Sequence, residues 1–272
     1  MINRHFYHIN PGYLKANLRI SCGLNYFIYL ILFLFFTLPC VKNTYSQNPP
    51  EAKQKITIKD INGTPRIFGL NIPNDYKSKN AYPLVVWLHG GLVNSKPDKG
   101  YEALWFFEKE AEKNGFILAA PTGDRECSWL NQCGIAWIKR VTTYVCSLYN
   151  IDSTRIYLAG VSDGGAGCFA YASSDPRPFK GFIALSCHPG VAEAAGYKFV
   201  PEKLASSSWY IVSNGRDRLY PLESVRPYFR RLKEAGADLT AKVYPSLDHG
   251  LDFGKKEKPS IVEWILRNKR GF

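Results

Sequence analysis

Residues Arg155 to Gly165 read RIYLAGVSDGG. The run Arg155–Ala159 predicts a buried strand, and the small-residue stretch from Gly164 to Ser173 predicts a helix. Between them lies G-x-S-x-G, with Ser162 at its centre, in the strand–turn–helix setting that this pattern requires. A serine on so tight a turn needs neighbours two residues away on each side that carry no clashing side chain, and Gly160 and Gly164 supply them. The turn aims Oγ outward at a helix N-terminus, where free N–H groups and the helix dipole favour negative charge. A phosphate-binding loop would also be glycine-rich. The chain has no G-x-x-x-x-G-K-[ST], however, and no acidic residue placed for a dinucleotide ribose. Ser162 is therefore the candidate nucleophile.

Outward from this turn the elements alternate. Lys53 to Ile72 reads as a β-hairpin turning at Asn62-Gly63. Leu84–Leu88 (LVVWL) is a wholly apolar strand ending at His89-Gly90-Gly91. A helix is expected over Gly100–Asn114, a strand over Phe116–Ala120 and a helix over Gly134–Tyr149. Beyond the serine, strands are expected over Phe182–Leu185, Trp209–Val212 and Leu239–Tyr244, with helices over Pro221–Ala235 and Ile261–Arg267. Such alternation predicts an α/β domain: one mostly parallel sheet, helices on both faces and an N-terminal β-hairpin. Ligands of such sheets bind beyond the carboxyl ends of the strands.

A serine hydroxyl needs an adjacent base. Outside the first 46 residues the chain has three histidines, His89, His188 and His249. On this kind of turn the acid and then the base follow the serine in chain order. His89 precedes Ser162, and His188 precedes any acid on a later strand. His249 lies in the loop after the last strand, so it is the expected base. The acid must orient the imidazole and stabilise its cation. Among the carboxylates between Ser162 and His249, only Asp217 lies in a loop directly after a buried strand, whereas Asp248 adjoins the histidine. Backbone N–H groups of Asp163 and Gly91, with Leu92 as second choice for the latter, are expected to form the oxyanion hole. Trp129, His89 and Tyr220 are candidate substrate-contacting residues. The loop Asp124 to Gln132 is the candidate pocket wall.

The first 46 residues form a separate segment. They hold Arg4, Lys15, Arg19 and Lys42, no acidic residue, and the apolar run Tyr26–Leu38. A basic lead, a short apolar stretch and small residues at Thr44 and Ser46 predict a secretory signal peptide, since a spanning helix needs about 20 apolar residues; an uncleaved N-terminal anchor is the competing reading. Residues 47–52 then form a short linker and 53–272 the catalytic domain. No stable membrane span is expected after processing, and the product is expected to be secreted or periplasmic. Without the leader, +8 of the formal charge of +12 remains, scattered and without a nucleic-acid-binding signature. No nucleic-acid partner is expected. Of seven cysteines, five lie outside the leader; Cys127 and Cys133 flank the short loop CSWLNQC and are the candidate disulfide. No spacing suggests a metal site, and no cofactor is expected.

With Ser162, Asp217, His249 and the His89-Gly90-Gly91 loop in place, the chain resembles the α/β-hydrolase superfamily. Within it the resemblance is to secreted feruloyl esterases, acetyl xylan esterases and polyhydroxybutyrate depolymerases. It is carried by YPLVVWLHGG, IDSTRIYLAGVSDGG, NGRDRLYP and the DHG before the terminal helix, and covers about residues 53 to 270. A dienelactone hydrolase would carry cysteine at position 162. Ser186-Cys187-His188-Pro189 departs from the Ser-Gly common in the esterases. The resemblance implies a single-domain α/β-hydrolase fold and a serine esterase acting through an acyl-enzyme. Its substrate would be feruloyl or acetyl esters of plant polysaccharide, or a polyester. A prolyl-oligopeptidase-like serine peptidase and a silent binding protein of the same fold are the alternatives.

Overall fold

The strands that the sequence marks as buried on both faces form the middle of one sheet. The computed structural model describes residues 52–267. The expected leader and the start of the linker lie outside the described residues, as do the last five residues. Eight strands run in the order β1-β2-β4-β3-β5-β6-β7-β8. They are β1 (Lys53–Lys59), β2 (Pro65–Asn71), β3 (Tyr82–Leu88), β4 (Ile117–Pro121), β5 (Ile151–Val161), β6 (Gly181–Leu185), β7 (Ser208–Asn214) and β8 (Leu239–Tyr244). The β1–β2 hairpin pairs antiparallel and joins the sheet by antiparallel pairing of β2 with β4. From β4 to β8 every pairing is parallel.

Alternation along the strands splits the core in two. Leu84, Val86, Leu88, Ile156, Leu158, Phe182, Trp209 and Ile211 face one side, under the helices Gln132–Leu148, Asp163–Ser174 and Leu222–Glu234. Val85, Trp87, Tyr157, Ala159, Ile183, Tyr210 and Val212 face the other, under Glu108–Asn114 and Gly254–Arg267. The period of two places each neighbour on the opposite face. Trp209 is fully buried on the first side. It stacks on Phe169 at 4.5 Å and on Phe182 at 4.8 Å, and its indole N–H donates to the Leu204 carbonyl at 2.9 Å.

Several elements differ from expectation. The helix expected over Gly100–Asn114 is broken into Lys99–Ala103, a 3-10 turn Leu104–Phe106 and Glu108–Asn114. The turn lets Leu104, Phe106 and Phe107 all point into the second core, which one straight helix face would not allow. The last helix begins at Gly254, well before Ile261, with Pro259 inside its first turns. Short helices at Pro189–Ala194 and Pro201–Leu204 were not marked by periodicity; each has proline at its first position, which suits a helix start. Among the described residues, no helix is long and apolar enough to cross a membrane.

Trp209→Ala removes a stacked aromatic and leaves a cavity between two helices and the sheet. It is expected to lower the unfolding free energy by about 3–5 kcal/mol, read from urea denaturation.

Candidate active site

The turn after β5 holds Ser162 at φ 55° and ψ −118°, a positive-φ backbone conformation that a side-chain-bearing residue rarely adopts. The flanking glycines are required by contact. A Cβ on Gly160 would lie 2.3 Å from the backbone of Gly164, and one on Gly164 would lie 2.1 Å from the Leu88 carbonyl oxygen. The serine N–H donates to the Leu185 carbonyl at 3.0 Å, which ties the turn to the end of β6. Ser162 then leads directly into the helix Asp163–Ser174.

His249 and Asp217 converge on this serine from loops after β8 and β7. Ser162 Oγ lies 3.0 Å from His249 Nε2, and His249 Nδ1 lies 2.7 Å from Asp217 Oδ2. The second oxygen of Asp217 accepts the backbone N–H groups of Leu219 at 2.9 Å and Tyr220 at 2.8 Å. Three hydrogen bonds on a nearly inaccessible carboxylate fix its plane, and through it the imidazole. The structure thus brings together all three residues chosen by chain order. Asp248 contributes only its carbonyl, which accepts from Asn214 Nδ2 at 2.6 Å.

The loop after β3 lies against the serine. A Cβ on Gly90 would stand 3.0 Å from Ser162 Cβ, so this close approach favours glycine. Gly91 takes φ 66° and ψ 53°. Leu92 N–H donates to Asp163 Oδ2 at 3.0 Å. That bond commits the Leu92 donor, so of the two choices Gly91 is the one whose N–H is not taken up by Asp163.

Of the three expected substrate contacts, two are corrected. Trp129 is fully buried, donates its indole N–H to the His89 carbonyl at 2.9 Å, and fills the space that a Cβ on Gly123 or Gly167 would need. It wedges the helix Asp163–Ser174 against the loop after β4 and is closed to a substrate. His89 is also buried; its Nδ1 contacts the Gly90 carbonyl at 2.9 Å and its Nε2 accepts the Gly123 N–H at 3.1 Å. It is a strut between two loops. Tyr220 does lie at the site. Its ring meets that of His249 edge-on at 5.3 Å. Burial and the Asp163 carboxylate push its phenol up to about 12, so it is a neutral donor at ordinary pH.

The loop beyond β4 is held rigid. Cys127 and Cys133 are joined in a disulfide. Asp124 accepts the Cys127 N–H at 2.7 Å and pairs with Arg66 at 2.5 Å, and Arg66 also pairs with Asp60 at 2.6 Å. His188 stands outside the triad: its Nδ1 accepts the Gly190 N–H at 2.9 Å and caps the helix Pro189–Ala194. Burial holds its imidazole below the usual range.

Two residues that sequence reasoning missed hold the histidine loop. Asn214 Nδ2 reaches Ser186 Oγ at 3.0 Å and Gly250 O at 3.2 Å, besides Asp248 O. Ser186, at φ 43°, donates its hydroxyl to Gly250 O at 2.6 Å. The carbonyls on either side of His249 are thereby gripped from the ends of β6 and β7. No periodicity or motif marks an asparagine or a serine for this task.

Burial lowers the His89 imidazole from its ordinary 6.5 to about 4. The unfolded chain therefore takes up this proton first as pH falls. Stability is full above pH 6.5 and declines through the window down to about 4, by up to about 1.4 kcal/mol per pH unit. His89→Gln keeps an acceptor for the Gly123 N–H and removes the titration. Between pH 7 and pH 5 it is expected to lose about 1–2 kcal/mol less unfolding free energy than the wild type, measured by urea denaturation at both pH values.

No family model matches the chain. The Aspergillus niger protein named "Probable feruloyl esterase C" is 27% identical over 165 residues, covering 58% of this chain and 60% of that protein. The chain spans about half the length of the curated relatives it matches. A thermostable esterase superposes with a TM-score of 0.66 at 20% identity, over 80% of this chain and 63% of that one. A Staphylococcus aureus fluorophosphonate-binding serine hydrolase superposes with a TM-score of 0.65 at 16% identity, over 80% of this chain and 99% of that one. In sequence and in architecture the chain resembles the α/β-hydrolase superfamily, and its fold is the α/β-hydrolase fold.

Proposed function

We propose that this protein is an exported serine esterase with Ser162 as nucleophile, His249 as general base and Asp217 as the orienting acid. The observation that carries the reading is the line from Ser162 Oγ through His249 to Asp217, with contacts of 3.0 and 2.7 Å, on a turn whose backbone is strained to present Oγ. Oγ attacks the ester carbonyl carbon as His249 Nε2 takes its proton. The carbonyl oxygen becomes an oxyanion, facing the backbone N–H groups of Asp163 and Gly91. Collapse breaks the bond to the alcohol, which leaves with the proton from His249. Water repeats the sequence on the acyl-enzyme and releases the acid. Asp217 stays ionised and holds Nδ1–H toward itself, so that Nε2 is free to accept.

The preferred substrates are feruloyl or acetyl esters of plant polysaccharide, or a polyester. The likeness to a protein named for feruloyl ester cleavage supports this class. So does the half-exposed histidine, which suits a ligand attached to a polymer. Export rests on the basic and apolar leader of residues 1–46.

The test is release of p-nitrophenol from p-nitrophenyl acetate. Ser162→Ala is expected to lower kcat by at least about 10⁴-fold without changing the folded state, and Asp217→Asn by about 10³–10⁴-fold. Ser162→Ala with undiminished activity would exclude the triad as the site of reaction.

A further inference from the structure

The peptide unit joining Gly91 to Leu92 is gripped at both ends. Its oxygen, Gly91 O, accepts from Lys99 Nζ at 2.6 Å, and its N–H, on Leu92, donates to Asp163 Oδ2 at 3.0 Å. A peptide unit is planar, so holding oxygen and N–H from opposite ends fixes its orientation. That orientation sets the left-handed conformation of Gly91. The next peptide back, which carries the Gly91 N–H, is bounded on its other side by Gly90, pressed against Ser162. The ammonium lies so close over Gly91 that a Cβ there would come within 3.0 Å of Nζ.

The two gripping groups are oppositely charged and near each other. Burial lowers the affinity of Lys99 for its proton, and Asp163 works against that lowering. Asp163 is also the residue directly after the nucleophile. A carboxylate on the residue next to the nucleophile repels a developing oxyanion, like charge against like charge. An ammonium on the same peptide offsets that field.

We propose that Lys99 and Asp163, through its side chain, are positioning residues of the oxyanion hole. Together they hold the Gly91 N–H toward the reacting carbonyl, and Lys99 neutralises the carboxylate that the grip requires. The proposal rests on the reading of Ser162 as nucleophile and Gly91 as donor. Neither charged group touches the substrate. Their effect is on transition-state stabilisation, and hence on kcat.

The experiment is steady-state hydrolysis of p-nitrophenyl acetate by the full chain and by Lys99→Met, Lys99→Gln, Lys99→Arg and the double variant Lys99→Met/Asp163→Asn. Removing an oxyanion donor outright costs 10²–10³-fold, so loosening one is expected to lower kcat about tenfold in Lys99→Met and Lys99→Gln, with KM within about twofold. Lys99→Arg, which can still donate to Gly91 O, is expected to recover most of kcat. Asp163→Asn in the Lys99→Met background is expected to raise kcat above Lys99→Met alone, since it removes the uncompensated charge while its side-chain oxygen still accepts from Leu92. A merely structural lysine would lower thermal stability and leave kcat unchanged. If Lys99→Met and Lys99→Gln keep wild-type kcat, or Lys99→Arg falls as far as they do, the positioning role is overturned. If the double variant gains nothing, charge compensation is overturned. Ser162→Ala measured alongside separates these results from the underlying reading, which fails only if that variant retains activity.

Discussion

The architecture of the site depends on one strained residue. Ser162 holds a positive-φ backbone between a strand and a helix, and that conformation exists because its surroundings leave no alternative. Gly160 lies against Gly164, Gly164 against the end of β3, and Gly90 against the serine itself. Three backbone segments thus meet with no room for a methyl group at Gly160 or Gly164 and little at Gly90. The buried strands β3, β5 and β6 bring them there, and the two cores on either side of the sheet keep those strands in place. Strain at the turn is the cost of an exposed Oγ, and packing far from it supplies the restraint.

Around that turn, each group of the proposed site is held by a second group. Asp217 is held by two backbone N–H groups, the loop of His249 by Asn214 and Ser186, and the loop of Gly91 by Lys99 and Asp163. His89 and Trp129 do the same for the loops after β3 and β4 from below, in the dry layer between helix and sheet. A site built in this way has little to reorganise when charge develops, which is the condition under which fixed dipoles stabilise a transition state most.

The proposed triad was legible because its members obey rules of order and place. Ser162 carries a motif in the right setting, Asp217 follows a buried strand, and His249 follows the last one. The two sheet faces were legible from strand alternation, as Val85 and Trp87 against Leu84 and Val86 show. The broken helix before Asn114 was not, because Trp105, Phe106 and Phe107 are apolar in succession and periodicity does not say where a turn tightens. Trp129 and His89 were misjudged for a physical reason: loops at the carboxyl ends of strands have an inner side as well as an outer one, and residue type alone does not distinguish them. Lys99, Asn214 and Ser186 act through single polar contacts set by tertiary approach, and these leave no trace in spacing.

β8 is the last strand of the sheet, and its residues are half-buried or exposed, whereas those of β6 and β7 are fully buried. An edge strand of that kind opens more readily than the rest of a domain. The histidine loop that follows it is nevertheless moored to β6 and β7, through Ser186 and Asn214. Fraying of β8 therefore need not carry the imidazole away. The proposed base follows an edge strand yet is anchored to two fully buried ones, so the lifetime of the assembled Ser162–His249–Asp217 line is set by the interior of the sheet and not by its margin.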